Sequence, residues 1–341
     1  MPPVVPFEGT AAEWDGFARE QAGYTHFHRL GWKRVLGQVF GHDCPYLAAR
    51  DESGRLAGVL PLVRVKSTIF GHYLVSMPFL NYGGPLGSDD AVRALAAESV
   101  RLAESGGVKL LELRSRVGLP LDLAVSHRKI TVVLDLPASG DELFKAIPAK
   151  VRSQVRRPQK EGVTVRFGAD QVDPFFAVFS RHMRDLGTPT LPRRFFQEIA
   201  REFPEDAWFG CAWLNNEPIA CGAGFAWGGE FEMTWASSLS AYNKIAPNML
   251  LYWSFMEKAI ESKLTLFNFG RCTPDGGTHR FKRQWGSRDE QLHWYQHTRG
   301  NREAATPSPD DGAFSWGPRL WKRLPLGLAT ALGPRIVRYI P

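Results

Sequence analysis

The run Gly277-Thr278-His279-Arg280-Phe281-Lys282-Arg283-Gln284-Trp285-Gly286 sets four cationic or potentially cationic side chains among two aromatics, with a glycine at each end. It follows an apolar stretch, Leu264 to Phe269, that breaks at Gly270-Arg271-Cys272-Thr273-Pro274-Asp275-Gly276. The pattern reads as a strand that ends in a Gly-rich, Arg-bearing loop and resumes as a basic-aromatic segment. Such an arrangement presents fixed positive charge to an anionic or acyl substrate. A solvated basic loop between two strands is the plainer alternative. A second concentration of ionisable groups, His182-Met183-Arg184-Asp185-Leu186-Gly187-Thr188-Pro189, closes a predicted helix over Pro174–Asp185. The stripe Phe175, Phe176 and Phe179 on that helix reads as core. His182 and Asp185 are proton acceptors by type, although His and Arg at a helix C-terminus also complement its dipole. A third basic stretch, Leu143 to Arg157, reads as a helix with Arg152, Arg156 and Lys160 on one face.

These groups must be held by a scaffold, and the chain shows one twice. Tyr46–Arg50 and Leu56–Val63 flank the turn Asp51-Glu52-Ser53-Gly54; Trp208–Trp213 and Ile219–Phe225 flank Asn215-Asn216-Glu217-Pro218. Each reads as a β-hairpin. Each is followed by a further strand and a small-residue loop, Met77 to Gly87 and Trp235 to Asn243. An amphipathic helix comes next, Ala91 to Ser105 and Asn248 to Ser262. Each helix leads into a buried strand, Val108–Leu113 and Leu264–Phe269. The repeated order predicts a duplicated mixed α/β unit, with ligands expected near the domain junction.

Composition limits the partners. A chain of 341 residues with 44% apolar content suits two domains with ordinary cores. The net charge of +7 favours anionic partners without choosing among them. Cys44, Cys211, Cys221 and Cys272 are scattered, with no Cys/His cluster at ligand spacing, so neither a disulfide framework nor a metal site is expected. The N-terminus lacks a basic region followed by an apolar core, and no apolar run is long enough to span a bilayer. The expected location is the cytoplasm.

Lys150-x-Arg152, Arg156, Lys160 and Gly162-Val163, with the late Arg280-Phe281-Lys282-x-x-x-Gly286, resemble the FemAB family of peptide-bridge aminoacyltransferases. The runs Met183–Pro189, Trp235-Ala236-Ser237-Ser238, Asn248–Trp253 and Phe269-Gly270-Arg271 through Trp285-Gly286 are similar to the branch associated with PEP-CTERM/exosortase systems and exopolysaccharide loci. The resemblance implies an α+β fold of two tandem GNAT-like (acyl-CoA N-acyltransferase-like) mixed-sheet domains. The expected boundaries are 1–140 and 141–300, with a linker and basic amphipathic tail over 301–341. It also implies acyl or aminoacyl transfer to an amine or hydroxyl of a cell-envelope or exopolysaccharide precursor. Lys282 would lie by the reacting carbonyl, where an ammonium stabilises a developing oxyanion. Asp185 is the first choice of base and His182 the second. Arg271 and Arg280 would hold a phosphate or carboxylate, and Lys150 with Arg152 would face the donor. Tyr82 and Gly83, in Asn81-Tyr82-Gly83-Gly84-Pro85, would contact the acceptor, and Trp235 and Asn248 complete the substrate-binding set. No tightly bound cofactor is implied. The donor stays open between acyl-CoA and aminoacyl-tRNA: the loop Q/R-x-x-G-x-G/A is absent, and Lys150 to Asp185 has no room for a long helical hairpin.

After a polar, Pro/Asp/Gly-rich stretch over 301–313, the tail from Phe314 combines Trp, Lys/Arg and a short apolar helix around Leu328–Leu332. That composition suits either a membrane interface or the protein's own surface, and the former is favoured, giving a peripheral inner-membrane contact. A non-catalytic module binding a glycan or nucleotide-sugar is the competing function. Binding of tRNA or other nucleic acid is a weaker third reading, since the basic residues are dispersed and no recognition motif appears.

Overall fold

The computed structural model describes residues 1–298 and 316–340, so the stretch expected as a linker lies outside it. Contacts divide the chain into two units. The first is Met1–Lys129 with a returning segment from Gln291 and the last residues from Arg338; the second is Ile130–Glu290 with a segment ending at Val337. Ile130–Asp135, assigned to the first domain from sequence, pairs within the second unit's sheet.

In chain order the first unit contains β1 (Val4–Pro6), α1 (Ala11–Arg19), α2 (Gly31–Phe40), β2 (Leu47–Arg50), β3 (Leu56–Leu60), β4 (Val63–Ser67), β5 (Gly71–Val75), β6 (Leu86–Gly87), α3 (Asp89–Ser105), β7 (Leu110–Ser115) and β8 (Ala124–Ser126). The second continues with β9 (Ile130–Asp135), α4 (Gly140–Ala146), α5 (Ala149–Lys160), β10 (Thr164–Phe167), α6 (Val172–Leu186), α7 (Arg193–Glu202), β11 (Ala207–Leu214), β12 (Glu217–Trp227), β13 (Glu230–Ser238), α8 (Pro247–Glu261), β14 (Leu266–Cys272), α9 (Gly277–Arg283) and β15 (Arg288–Gln291). The chain then adds β16 (His293–Thr298) to the first unit and ends in α10 (Trp316–Trp321) and α11 (Leu326–Val337).

The first unit holds two sheets, ordered β1-β2-β3-β6 and β4-β5-β7-β16-β8. The β2–β3 turn is closed by Asp51, whose Oδ1 accepts from the Ser53 and Arg55 amides at 2.9 and 3.0 Å, an Asx turn. Ser88 caps α3 by accepting from the Ala91 amide, and Asp89 and Asp90 sit in its positive first turn. Of the expected stripe, Leu95 and Ala103 lie, with Ala91, in a core shared with Leu111, Leu113 and Tyr295. Of the strand and small-residue loop expected over Met77 to Gly87, the loop takes most of the span, with Met77 and Phe79 at φ 59° and 69° and only Leu86–Gly87 paired. The strand that precedes α3 and runs parallel to β7 is instead β5.

The second unit is built on one sheet, β10-β11-β12-β13-β14-β9-β15. Asn215 and Asn216, both at positive φ, close the β11–β12 hairpin, as residues tolerant of the left-handed region do. Side chains alternate across the strands: Ala212 and Ala220 join the core with α5 and α8, while Cys211 and Cys221 lie against the α6 side. Phe175, Phe179 and Phe196 interlock on that second face. Two local expectations change. The basic helix over Leu143–Arg157 is broken at Ile147-Pro148, both extended, because a residue before proline is driven out of the helical region. The segment from Gly277 to Arg283 is a short helix, α9, rather than a resumed strand or a loop.

Candidate active site

The central feature of the second unit is the pair β13 and β14. They run parallel and pair at Glu230↔Leu266, Phe231↔Phe267 and Glu232↔Asn268, where the ladder between them ends. β13 continues to Ser238 and β14 to Cys272, so the two strands diverge as a wedge. Each bulges just past the last pair. On β13, Thr234 is the extra residue, since Met233 pairs with Gly224 and Trp235 with Ala223. On β14, Phe269 and Gly270 together span one register step, since Asn268 pairs with Val133 and Arg271 with Thr131. A bulge adds twist and bends its strand, so a bulge of β13 against β12 and one of β14 against β9, each just past the last shared pair, accompany the parting of the two strands. Glycine is needed at both: a Cβ on Gly224 would lie 1.9 Å from the Glu232 carbonyl oxygen, and Gly270 has φ 75°.

Polar groups are buried where the wedge begins. Asn268 donates from Nδ2 to Glu230 Oε1 at 2.7 Å and accepts at Oδ1 from Thr131 Oγ1 (2.6 Å) and the Gly270 amide (2.8 Å). Glu232, on the other strand of the same last pair, is fully buried. Lys282 of α9 reaches this point. Its Nζ donates to the carbonyls of Gly270 (2.6 Å), in the β14 bulge, and of Arg271 (3.0 Å), the residue at which pairing with β9 resumes. The side chain is 3% exposed. Burial lowers its pKa to about 8; the charge of Arg271 pushes the same way, and Cys272 and Glu232 oppose. An ammonium has three N–H bonds, and two are fixed by backbone carbonyls.

α9 is secured at both ends. His279 Nδ1 accepts from the Asp275 amide at 2.9 Å, and its Nε2 faces Asp289 Oδ2 at 3.0 Å, so the neutral ring carries its proton on Nε2. Ser287 Oγ donates to the Lys282 carbonyl at 2.9 Å. The exposed Arg280 donates from Nη1 to the Asp275 carbonyl at 2.7 Å and so closes the turn before α9. Arg271 is half-buried on β14 beside Lys282.

The other residues singled out from sequence have various settings. His182 is half-buried on α6 and hydrogen-bonded to the Ser238 backbone, at the open end of β13; burial lowers its pKa, so it is neutral near pH 7. Asp185 pairs with Arg184 at 2.6 Å. Trp235 lies edge-on to Phe195, Phe196 and Phe225. Asn248 is half-buried in the first turn of α8, which starts at Pro247 after Ala246 at φ 54°. Lys150 is exposed on α5. Arg152 donates to the Lys145 and Ile147 carbonyls at 3.1 and 2.6 Å, which caps the end of α4.

The first unit repeats the geometry with a different filling. β5 and β7 are parallel, with Val75↔Glu112 the last pair. There the chain's own loop occupies the divergence: the Ser76 amide donates to Glu112 O, and the Gly83 amide to Arg114 O, both at 2.9 Å. Tyr82 is fully buried against Phe27, and His28 Nε2 donates to the Gly84 carbonyl at 2.9 Å. Glu112 and Arg114 form a buried ion pair at 2.7 Å, with Arg114 over the Trp294 ring. Neither this network nor that of Asn268 and Glu232 was singled out from sequence. Their signal was a polar residue inside an otherwise apolar strand, as in Leu266-Phe267-Asn268-Phe269.

Residues 148–283 match the family model described as an acetyltransferase (GNAT) domain. A comparison with curated protein sequences finds no match. Among solved structures the chain is similar to FemX (TM-score 0.64, 15% identity, covering 85% of this chain and 96% of that one). It is also similar to L-PGS from Bacillus licheniformis (0.56, 14%, 94% and 98%) and to a tandem GNAT protein from the clavulanic acid biosynthesis pathway (0.50, 13%, 86% and 94%). The chain has a GNAT-like mixed α/β fold, similar to that of tandem GNAT proteins, with residues 148–283 matching the GNAT domain model.

Proposed function

We propose that the protein transfers an acyl or aminoacyl group to an amine or hydroxyl of a cell-envelope or exopolysaccharide precursor, and that the reaction occurs at the β13/β14 wedge. The observation that carries this reading is the buried Lys282 ammonium, held by the Gly270 and Arg271 carbonyls where the strands part. The open strand edges suit an extended donor arm, because its amides can take the place of a missing strand. The acceptor nitrogen or oxygen attacks the donor carbonyl carbon and forms the new bond. The carbonyl oxygen becomes an oxyanion, which the third N–H of Lys282 meets. Collapse expels a thiolate from an acyl-CoA or a ribose hydroxyl from an aminoacyl-tRNA, and the acceptor proton passes to a base. His182, neutral and adjoining the end of β13, is the base in this scheme, with Asp185 engaged by Arg184. Arg271 and Arg280 are the cations for an anionic part of donor or acceptor, with Lys150 further out on α5. An envelope or exopolysaccharide acceptor rests on the residues that resemble the exosortase-associated branch.

The test is incubation of the purified chain with acetyl-CoA, longer acyl-CoAs or aminoacyl-tRNA plus an envelope-glycan extract, read by mass spectrometry. A transferred mass that depends on one donor and is lost in Lys282→Ala supports the reading and names the donor. The plugged wedge of the first unit favours one rival, since it shows that a GNAT-like unit persists with that space filled by its own backbone. Glycan binding with no turnover on any donor would establish the non-catalytic module.

A further inference from the structure

Within the described residues of the second unit, three large hydrophobic side chains stand out in solvent: Leu186 (52% exposed), Leu320 (57%) and Leu328 (45%). They gather around the docked tail. Leu186 ends α6, and the next residue, Gly187, lies so close to the tail that a Cβ there would be 2.6 Å from the Pro318 carbonyl oxygen. Both α10 and α11 pack on α6. Arg184 Nη1 donates to the Leu324 carbonyl at 3.0 Å, and Gly333 abuts the Thr190 backbone. The inner stripe of α11 is Ala329 and Gly333, which leaves Leu328, Ala331 and Arg335 outward. Arg319, Lys322 and Arg323 are exposed beside Leu320. Residues 316–340 contain no Asp or Glu, and on α6 the Asp185 carboxylate is held by Arg184.

We propose that this face, formed by α10, α11 and the end of α6, docks on an anionic lipid bilayer. Leu186, Leu320 and Leu328 enter the interface, and Arg319, Lys322, Arg323 and Arg335 meet the lipid phosphates. Exposed leucines amid unopposed positive charge fit a surface that is apolar below and anionic above; a nucleic acid would use the charges and leave the leucines in water. No helix among the described residues is long and apolar enough to cross a membrane, so the contact is peripheral. The inference is independent of the acyl-transfer reading.

The experiment is co-sedimentation of the full chain with phosphatidylglycerol/phosphatidylethanolamine vesicles, with phosphatidylcholine vesicles as comparison. The parent should bind the anionic vesicles and leave the zwitterionic ones. Leu320→Ser with Leu328→Ser should weaken binding about tenfold. Replacing Arg319, Lys322 and Arg323 by Gln should cost about fivefold per residue. Unchanged melting curves would show that each variant is folded, as expected for exposed positions. Failure of the parent to bind anionic vesicles, or full binding by the folded leucine variant, overturns the proposal; the latter marks a general polyanion surface.

Discussion

Lys282 combines two properties that seldom coincide: it is almost wholly buried, and burial leaves it close to half-protonated in mildly alkaline solution. If its ammonium stabilises an oxyanion, activity should be fullest below about pH 8 and fall as pH rises through that value, as the third donor loses its charge. A pH–rate profile at saturating donor checks this. Lys282→Met should lower kcat by roughly 100- to 1000-fold, the usual loss for one oxyanion donor. It also strands two buried carbonyls, so a lower unfolding midpoint is expected alongside. Donor KM should change little, which separates a chemical role from mere buttressing. Asn268 is the second residue on which the site turns, since it ties Glu230, Thr131 and the Gly270 amide together. Asn268→Leu should cost roughly 2–4 kcal/mol in denaturant unfolding, because it leaves several buried polar groups unpaired.

At the scale of elements, the wedge depends on two bulges, and each can be tested without touching a charged group. Gly270→Ala forces a Cβ into the left-handed region, at about 1–2 kcal/mol, and should draw β14 toward regular pairing. Loss of activity beyond the loss of stability is the expected result, measured by comparing turnover with melting temperature. Much of this scale could be read from the chain. The hairpins, α3, α8, and the strands that follow them announce themselves through Asn, Asp and Gly turns and through apolar periodicity. The bulges could not be read, because they are set by register against neighbouring strands. α9 escaped for another reason: seven residues rich in Arg and Lys offer no apolar period. Lys282 was legible by resemblance, whereas its carbonyl partners were not, because only the bend at Gly270 turns those oxygens toward it.

For the molecule as a whole, the first unit should be sensitive to acid. His26, His28 and His42 are held neutral, His28 and His42 with pKa values near 4, chiefly through burial. The unfolded chain takes up these protons at an ordinary value near 6.5 and the folded one does not. Stability is therefore intact above about pH 6.5 and lost progressively as pH falls toward 4. Hydrogen exchange at pH 5 against pH 7.5 should show residues 25–46 and 80–84 opening earlier in acid. Duplication was visible in the sequence as a repeated order of elements. The asymmetry between the copies was not, since Tyr82 and Gly83 look like a presented loop until the Gly83 amide is found bonded to β7 and the Tyr82 ring buried against Phe27.

β16 is the strand between β7 and β8, yet it is reached only after Ile130–Glu290, the main body of the second unit, has been made. On the ribosome, then, the first half of the chain emerges with its sheet unfinished and must wait, with the edge of β7 unpaired, for residues 293–298. The later-born unit can fold first, since β9 to β14 need nothing that follows β15. A chain released at Glu290 should show the β10–β14 strands protected from exchange while its first unit aggregates through the open edge.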